Sequence, residues 1–148
     1  MHSTDSKSTI LRKTDNFEAI RRLSLESGLE DGEFENIVCA YGYFIDGEIV
    51  GCVAMKRVDD AHSVEWLAVK EEQRGKGLGQ SLVAAVAVEA ERSGARELWA
   101  LARVPEFFLR IGFMISSPEE SPGPTFEGCG KCGQYKISCF PKVVVKVL

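Results

Sequence analysis

Three alternating glycines, in Arg74-Gly75-Lys76-Gly77-Leu78-Gly79, stand where a strand-like apolar segment gives way to a helical one. The segment before them, His62 to Val69, ends in Leu67-Ala68-Val69 and reads as a strand. From Leu78 to about Ser93 the apolar residues Leu78, Leu82, Ala85 and Val86 recur at helical spacing, and Gly94 stops the run. The chain must therefore pass from strand to helix through a loop with little side chain. Glycines there let a backbone approach an anion closely, and the first helical N–H groups lack internal partners. Those donors and the helix dipole favour a pyrophosphate, and Arg74 and Lys76 add positive charge. The plainer reading of the same loop is a glycine-rich connector.

The rest of the chain limits what this loop can belong to. Thr9 to Lys13 reads as a short strand. A helix is expected over about Phe17 to Glu26, capped by Asp15 or Asn16 and ended by Gly28. Ile37 to Ile45 and Glu48 to Val58 are rich in β-formers and flank Asp46-Gly47, a strong hairpin signal. With the strand that follows they make an antiparallel meander. Glu97 to Ala102 is a further strand, so strand, helix and strand in this order form a βαβ crossover with a parallel pair. Pro105 suits the first position of a short helix ending before Gly112, and Phe113 to Ser116 is a brief strand. Pro118 to Gly128 reads as a loop, and Tyr135 to Leu148 has strand character interrupted by Pro141. The fold class expected is α/β with a mixed sheet.

Neither of two common nucleotide motifs fits the loop. The triphosphate loop needs Gly-Lys followed by Ser or Thr, but Lys76 precedes Gly77. The dinucleotide fingerprint needs Gly-x-Gly-x-x-Gly at the start of a βαβ unit, and here the spacing is Gly75-x-Gly77-x-Gly79 after a meander.

The loop does match the signature of the GCN5-related N-acetyltransferase (GNAT) superfamily: Arg or Gln, two residues, Gly, one residue, then Gly or Ala. Leu67-Ala68-Val69 resembles that family's cofactor strand. Phe107-Phe108-Leu109-Arg110-Ile111-Gly112-Phe113 resembles its second recurrent segment, a short helix ending in Gly-Phe. The order of elements agrees from about residue 9 to residue 116. The resemblance implies an acyl-CoA N-acyltransferase fold with acetyl-CoA as cosubstrate. Backbone groups of Leu67 and Val69 would pair with the pantetheine arm, and the amides of Arg74 through Gly79 would hold the pyrophosphate. Ala68, Phe107 and Phe108 would complete the cofactor site. The chemistry implied is direct attack of a neutral amine on the thioester, without an acyl-enzyme.

Such an amine must first lose a proton. Glu65 is the carboxylate best placed to take it, and in a regular strand it would share a face with Ser63 and Leu67. A bulge in this strand would change that parity. The alternative role for Glu65 is a solvated or ion-paired strand carboxylate, and His62 is a weaker candidate for the base. The family commonly protonates the departing thiolate with a tyrosine on the short helix, where this chain has Phe108. Tyr135 is the candidate donor, with Tyr41, Tyr43 and solvent as alternatives.

Cys129-Gly130-Lys131-Cys132, with Cys139 beyond, is the other unusual feature. Two or three thiolates can ligate zinc, but no histidine lies near to complete a site, so no metal is assigned. A local disulfide or incidental thiols are the other readings. Five cysteines, two of them (Cys39 and Cys52) in apolar runs, fit a reducing cytoplasm. A net charge of −4 argues against a nucleic-acid partner. The longest apolar run, Leu82 to Val88, is far short of a membrane span, and the polar Met1 to Ser8 lacks the core of a secretory signal. The expected organisation is a flexible tail over 1–8 and a single GNAT-like domain over 9–148. The leading function is N-acetylation of a small amine or amino acid. Acetylation of a protein N-terminus or lysine, and a non-catalytic acetyl-CoA-binding or metal-responsive module, are the alternatives. C-terminal edge strands leave room for a homodimer.

Overall fold

In the computed structural model, residues 9–29, 35–116 and 142–148 are described. They form a seven-stranded sheet flanked by helices. Strand β1 is Thr9–Lys13, followed by helix α1, Phe17–Glu26. The Asn16 side chain accepts from the Ala19 amide and caps α1, as its residue type favours. Strands β2 (Ile37–Ile45), β3 (Glu48–Val58) and β4 (Ala61–Val69) follow, then a 3-10 turn at Glu71–Gln73. Helix α2 is Leu78–Arg92, β5 is Glu97–Ala102, α3 is Pro105–Arg110, β6 is Met114–Ser116 and β7 is Lys142–Val147.

The strand order is β1-β2-β3-β4-β5-β7-β6. All neighbours are antiparallel except β4 and β5, which are the parallel pair that the crossover through α2 requires. Asp46 and Gly47 both have left-handed φ, +50° and +83°, the two-residue turn whose twist suits a hairpin. The last strand is inserted between β5 and β6 rather than added at the edge.

Period-two alternation divides β3 between two cores. Val53 and Met55 face α2 and pack with Val64, Leu82, Val83, Val86, Leu98 and Val144. Cys52 and Ala54 face α1 and pack with Ile20, Leu23, Ala40 and Ala68. Leu82 is fully buried, which is worth about 2 kcal/mol. With both faces covered, β3 serves as the rigid centre on which β4 is laid.

Candidate functional site

The three glycines occupy the loop for two different physical reasons. Gly75 and Gly77 have φ of +80° and +84°, and a Cβ at either would meet nothing within 4 Å. They are required for backbone conformation, not for space. Gly79 has no such φ, but a Cβ there would meet Cε1 and Cζ of Phe107 at 3.2 Å. Phe107, from α3, thus packs against the first turn of α2.

Gly77 is the N-cap of α2 and supplies no side-chain cap. The first bond onto the helix runs from the Ser81 amide to the Gly77 carbonyl, 3.1 Å. Among the described residues, the consecutive amides of Gly75 through Gln80 have no backbone acceptor. Leu78 is buried and anchors the turn, while Arg74 to Gly77 are exposed. The result is an open row of donors at the positive end of a 15-residue helix. Arg74 Nε donates to the Val69 carbonyl at 3.0 Å, tying the loop to the end of β4. Lys76 Nζ donates to Gln73 Oε1 at 3.3 Å.

Beside this cradle the sheet opens. β4 pairs with β5 only at Ser63 with Trp99 and Val64 with Ala100. β5 stays paired with β7 along its whole length, and β4 stays paired with β3 as far as Val69. The two parallel strands therefore diverge after Val64, leaving a cleft bounded on one side by residues 65–69.

β4 is also bulged at this place. Cys52 is opposite Ala68 and Ala54 is opposite Glu65, so Val53 alone faces both Trp66 and Leu67. Trp66 takes a left-handed φ of +57°, rare for a bulky residue. The extra residue reverses the alternation beyond it. Leu67 and Val69 pack toward α2, whereas Trp66 and Ala68 pack toward α1. Glu65, paired with Ala54, lies on the α1 side with Ser63, whose hydroxyl donates to Glu65 Oε2 at 3.0 Å. The expectation that Glu65 shares a face with Leu67 is corrected: the bulge puts them on opposite faces.

Glu65 is partly buried. Burial raises its pKa above the ordinary carboxylate value, opposed by the nearby Lys56 charge and the Ser63 hydrogen bond. A carboxyl so placed has the direction of shift that suits a general base.

Other candidates are distributed less favourably. Phe108 is 8% exposed and stacks edge-to-face on Phe107 and Phe113, with centroids 5.1 and 5.0 Å away. It belongs to the core beneath the site and has no acidic proton to give. The Tyr41 hydroxyl donates to Glu89 Oε1 at 3.2 Å, and Lys13 Nζ binds the same oxygen at 2.8 Å. Glu89 lies roughly 16 Å along α2 from Leu78 at 1.5 Å per residue, so Tyr41 is held away from the loop. Tyr43 packs against the main core. His62 is buried with neither ring nitrogen hydrogen-bonded among the described residues. Tyr135, Cys129, Cys132 and Cys139 lie outside the described residues. Among the described residues no three metal-ligating side chains converge, and no helix is long and apolar enough to cross a membrane.

Sequence reasoning gave no site role to two residues that meet at the β4 bulge, Trp66 and Cys52. The Cys52 thiol donates to the Trp66 carbonyl at 3.2 Å, at the bulge itself. Nothing in the local pattern marks a left-handed tryptophan, because residue types that favour that conformation are Gly, Asn and Asp.

Comparison with known proteins agrees with this geometry. A family model described as "Acetyltransferase (GNAT) domain" matches residues 36–115, more than half of the chain. An uncharacterised N-acetyltransferase of Chlorobaculum tepidum is 31% identical over 104 residues, 69% of this chain and 66% of that protein. N-acetylglutamate synthase from Neisseria gonorrhoeae, solved with coenzyme A and N-acetyl-glutamate, superposes with a TM-score of 0.78 at 24% identity. That match covers 97% of this chain and 36% of the synthase chain. A Mycobacterium tuberculosis protein solved with CoA superposes with a TM-score of 0.72 at 19% identity, over 94% of this chain and 99% of that one. The structural matches establish a shared fold. This chain spans just under two thirds of the Chlorobaculum relative and about a third of the synthase.

Proposed function

This chain belongs to the GNAT acetyltransferase family, and we propose that it transfers the acetyl group of acetyl-CoA to a primary amine. The acceptor class proposed is a small molecule or amino acid, and the compartment is the cytoplasm. The observation that carries the reading is the row of amides from Gly75 through Gln80 standing beside the cleft between β4 and β5. A pyrophosphate satisfies such donors, and an extended arm running from it has the unpaired side of β4 to follow.

The fit of acetyl-CoA to these residues rests on chemistry the chain already holds. Gly75 and Gly77 supply the left-handed turns that lead into the row of free amides, and Phe107 packs against Gly79. Leu67, Ala68 and Val69 offer backbone groups, while Arg74, Lys76 and Leu78 complete the loop.

The reaction balances within a ternary complex. The amine lone pair attacks the thioester carbonyl carbon, forming the C–N bond. The tetrahedral species then expels the CoA thiolate as the C–S bond breaks. Glu65, directly or through water, takes the proton that the amine loses, and its raised pKa brings its basicity closer to that of the amine. We assign protonation of the thiolate to Tyr135, since Phe108 cannot perform it.

The test is release of free CoA from acetyl-CoA against a panel of amino acids, polyamines and peptides. Release with amino acids or small amines, and little with peptides, is expected. Release with peptides alone would transfer the assignment to a protein acetyltransferase. No release with any acceptor, together with tight CoA binding, would leave a binding module.

A further inference from the structure

The bulge in β4 is energetically unfavourable on its own. A tryptophan at φ +57° carries a backbone cost that a folded chain retains only when its surroundings hold it. The inserted residue also interrupts the ladder between Glu65 and Ala68. Yet this bulge sets which backbone groups of β4 turn into the cleft, because it fixes the parity of Leu67 and Val69.

One buried polar chain reaches the bulge from the side opposite α2. Ser24 of α1 and Cys52 of β3 are both fully buried, with Ser24 Oγ 3.9 Å from Cys52 Sγ. Cys52 Sγ lies 3.2 Å from the Trp66 carbonyl oxygen and donates to it. The next residue on that face, Ala68, is the register partner of Cys52. Alanine, serine or cysteine would all fit a small site between α1 and the sheet, but only the latter two can donate to a carbonyl.

We propose that Cys52 is a positioning residue for acetyl-CoA, its thiol holding the Trp66 carbonyl so that the bulged strand presents Leu67 and Val69 to the pantetheine arm. The inference rests on the cofactor reading above and adds to it a residue outside the loop and the strand that would touch the cofactor. Ser24 supports the thiol from α1, so the helix and the cofactor strand are linked through one sulfur atom. Burial pushes the Cys52 thiol up to about 12, which keeps its proton, and hence its donor, in place through the neutral range.

The experiment is CoA titration calorimetry, with steady-state kinetics, on the full chain and on Cys52→Ala and Cys52→Ser. Loss of one hydrogen bond to the bulge should weaken CoA binding roughly three- to tenfold in Cys52→Ala and raise KM for acetyl-CoA by the same factor, with kcat little changed. Cys52→Ser, which keeps a donor, should recover most of the loss. If alanine does not fold, the near-isosteric pair Cys52→Thr and Cys52→Val makes the same comparison. Equal CoA affinity with and without a donor at position 52, while the unsubstituted protein binds CoA, would overturn the proposal alone. Failure of the unsubstituted protein to bind CoA would overturn the cofactor reading and this inference together.

Discussion

The ring of Phe107 occupies the space that a Cβ on Gly79 would need, with Cε1 and Cζ both 3.2 Å from that position. Gly77, two residues earlier, has open space around it and a left-handed φ of +84°. The two glycines should therefore respond differently to the same substitution. Gly77→Ala has no steric contact to relieve and forces an alanine into a conformation costing about 1–2 kcal/mol. It should lower thermal stability and weaken CoA binding together, because relaxing the strain reorients the amides that follow. Gly79→Ala improves helix propensity by about 1 kcal/mol but must displace a ring edge by a few tenths of an ångström. It should leave stability near the starting value while weakening CoA binding. Thermal melts and calorimetry on the two variants check the contrast.

Phe107 and Phe108 are adjacent yet carry separate loads. Phe108 is buried between Phe107 and Phe113, and Phe108→Ala should cost about 3 kcal/mol or more through the cavity it leaves. Phe107 is only partly buried and braces the α2 turn. Phe107→Ala should cost less stability but more CoA affinity, in proportion, than Phe108→Ala. Denaturant unfolding set beside CoA titration separates the two effects.

Much of this arrangement was legible in the residues. The hairpin at Asp46-Gly47, the helix stop before Gly94, and Pro105 at the start of α3 all follow from local backbone preferences, and the structure has elements bounded there. The glycine loop was legible because its spacing coincides with a change of period from two to 3.6. The parity of β4 was not legible. It turns on a single inserted residue at Trp66, held by a tertiary contact from Cys52 that no window along the chain contains. The insertion of β7 between β5 and β6 was hidden for a similar reason, since β7 pairs with two strands distant from it in sequence.

Glu65 should show its role in the pH dependence of both rate and stability. Glu65→Gln removes the proton acceptor and should lower kcat by about a hundredfold or more at neutral pH. The rising acid limb of the pH–rate profile should disappear with it. The stability effect has the opposite sign. Because the folded-state pKa is raised, chiefly by burial, Glu65 favours the fold below its unfolded pKa. That contribution is lost as pH rises through the folded value. Glu65→Gln should thus be more stable than the unsubstituted protein at neutral pH, with the difference vanishing in acid. An unchanged pH–rate profile would remove Glu65 from the mechanism.

The contact of Lys13 with Glu89 predicts a different pH response far from the cleft. The Lys13 hydrogen bond is the largest influence holding the Glu89 carboxyl below its ordinary value, with the Tyr41 hydroxyl second. Stability from this group is present above the unfolded pKa and is lost as pH falls through the folded one. Lys13→Gln should leave CoA binding unchanged and flatten the acid side of the stability profile slightly, as a screened surface pair does. Thermal melts across pH measure it.

In the proposed complex the amides from Gly75 through Gln80 receive the pyrophosphate of acetyl-CoA while β4 receives its pantetheine arm. Residue-resolved amide hydrogen exchange, with and without CoA, reads those groups directly. CoA should slow exchange across Gly75 to Gln80 and at Leu67 and Val69, with little change along β1 or the C-terminal half of α2. Binding of CoA that left the amides of Gly75 to Gln80 exchanging as before would contradict this placement.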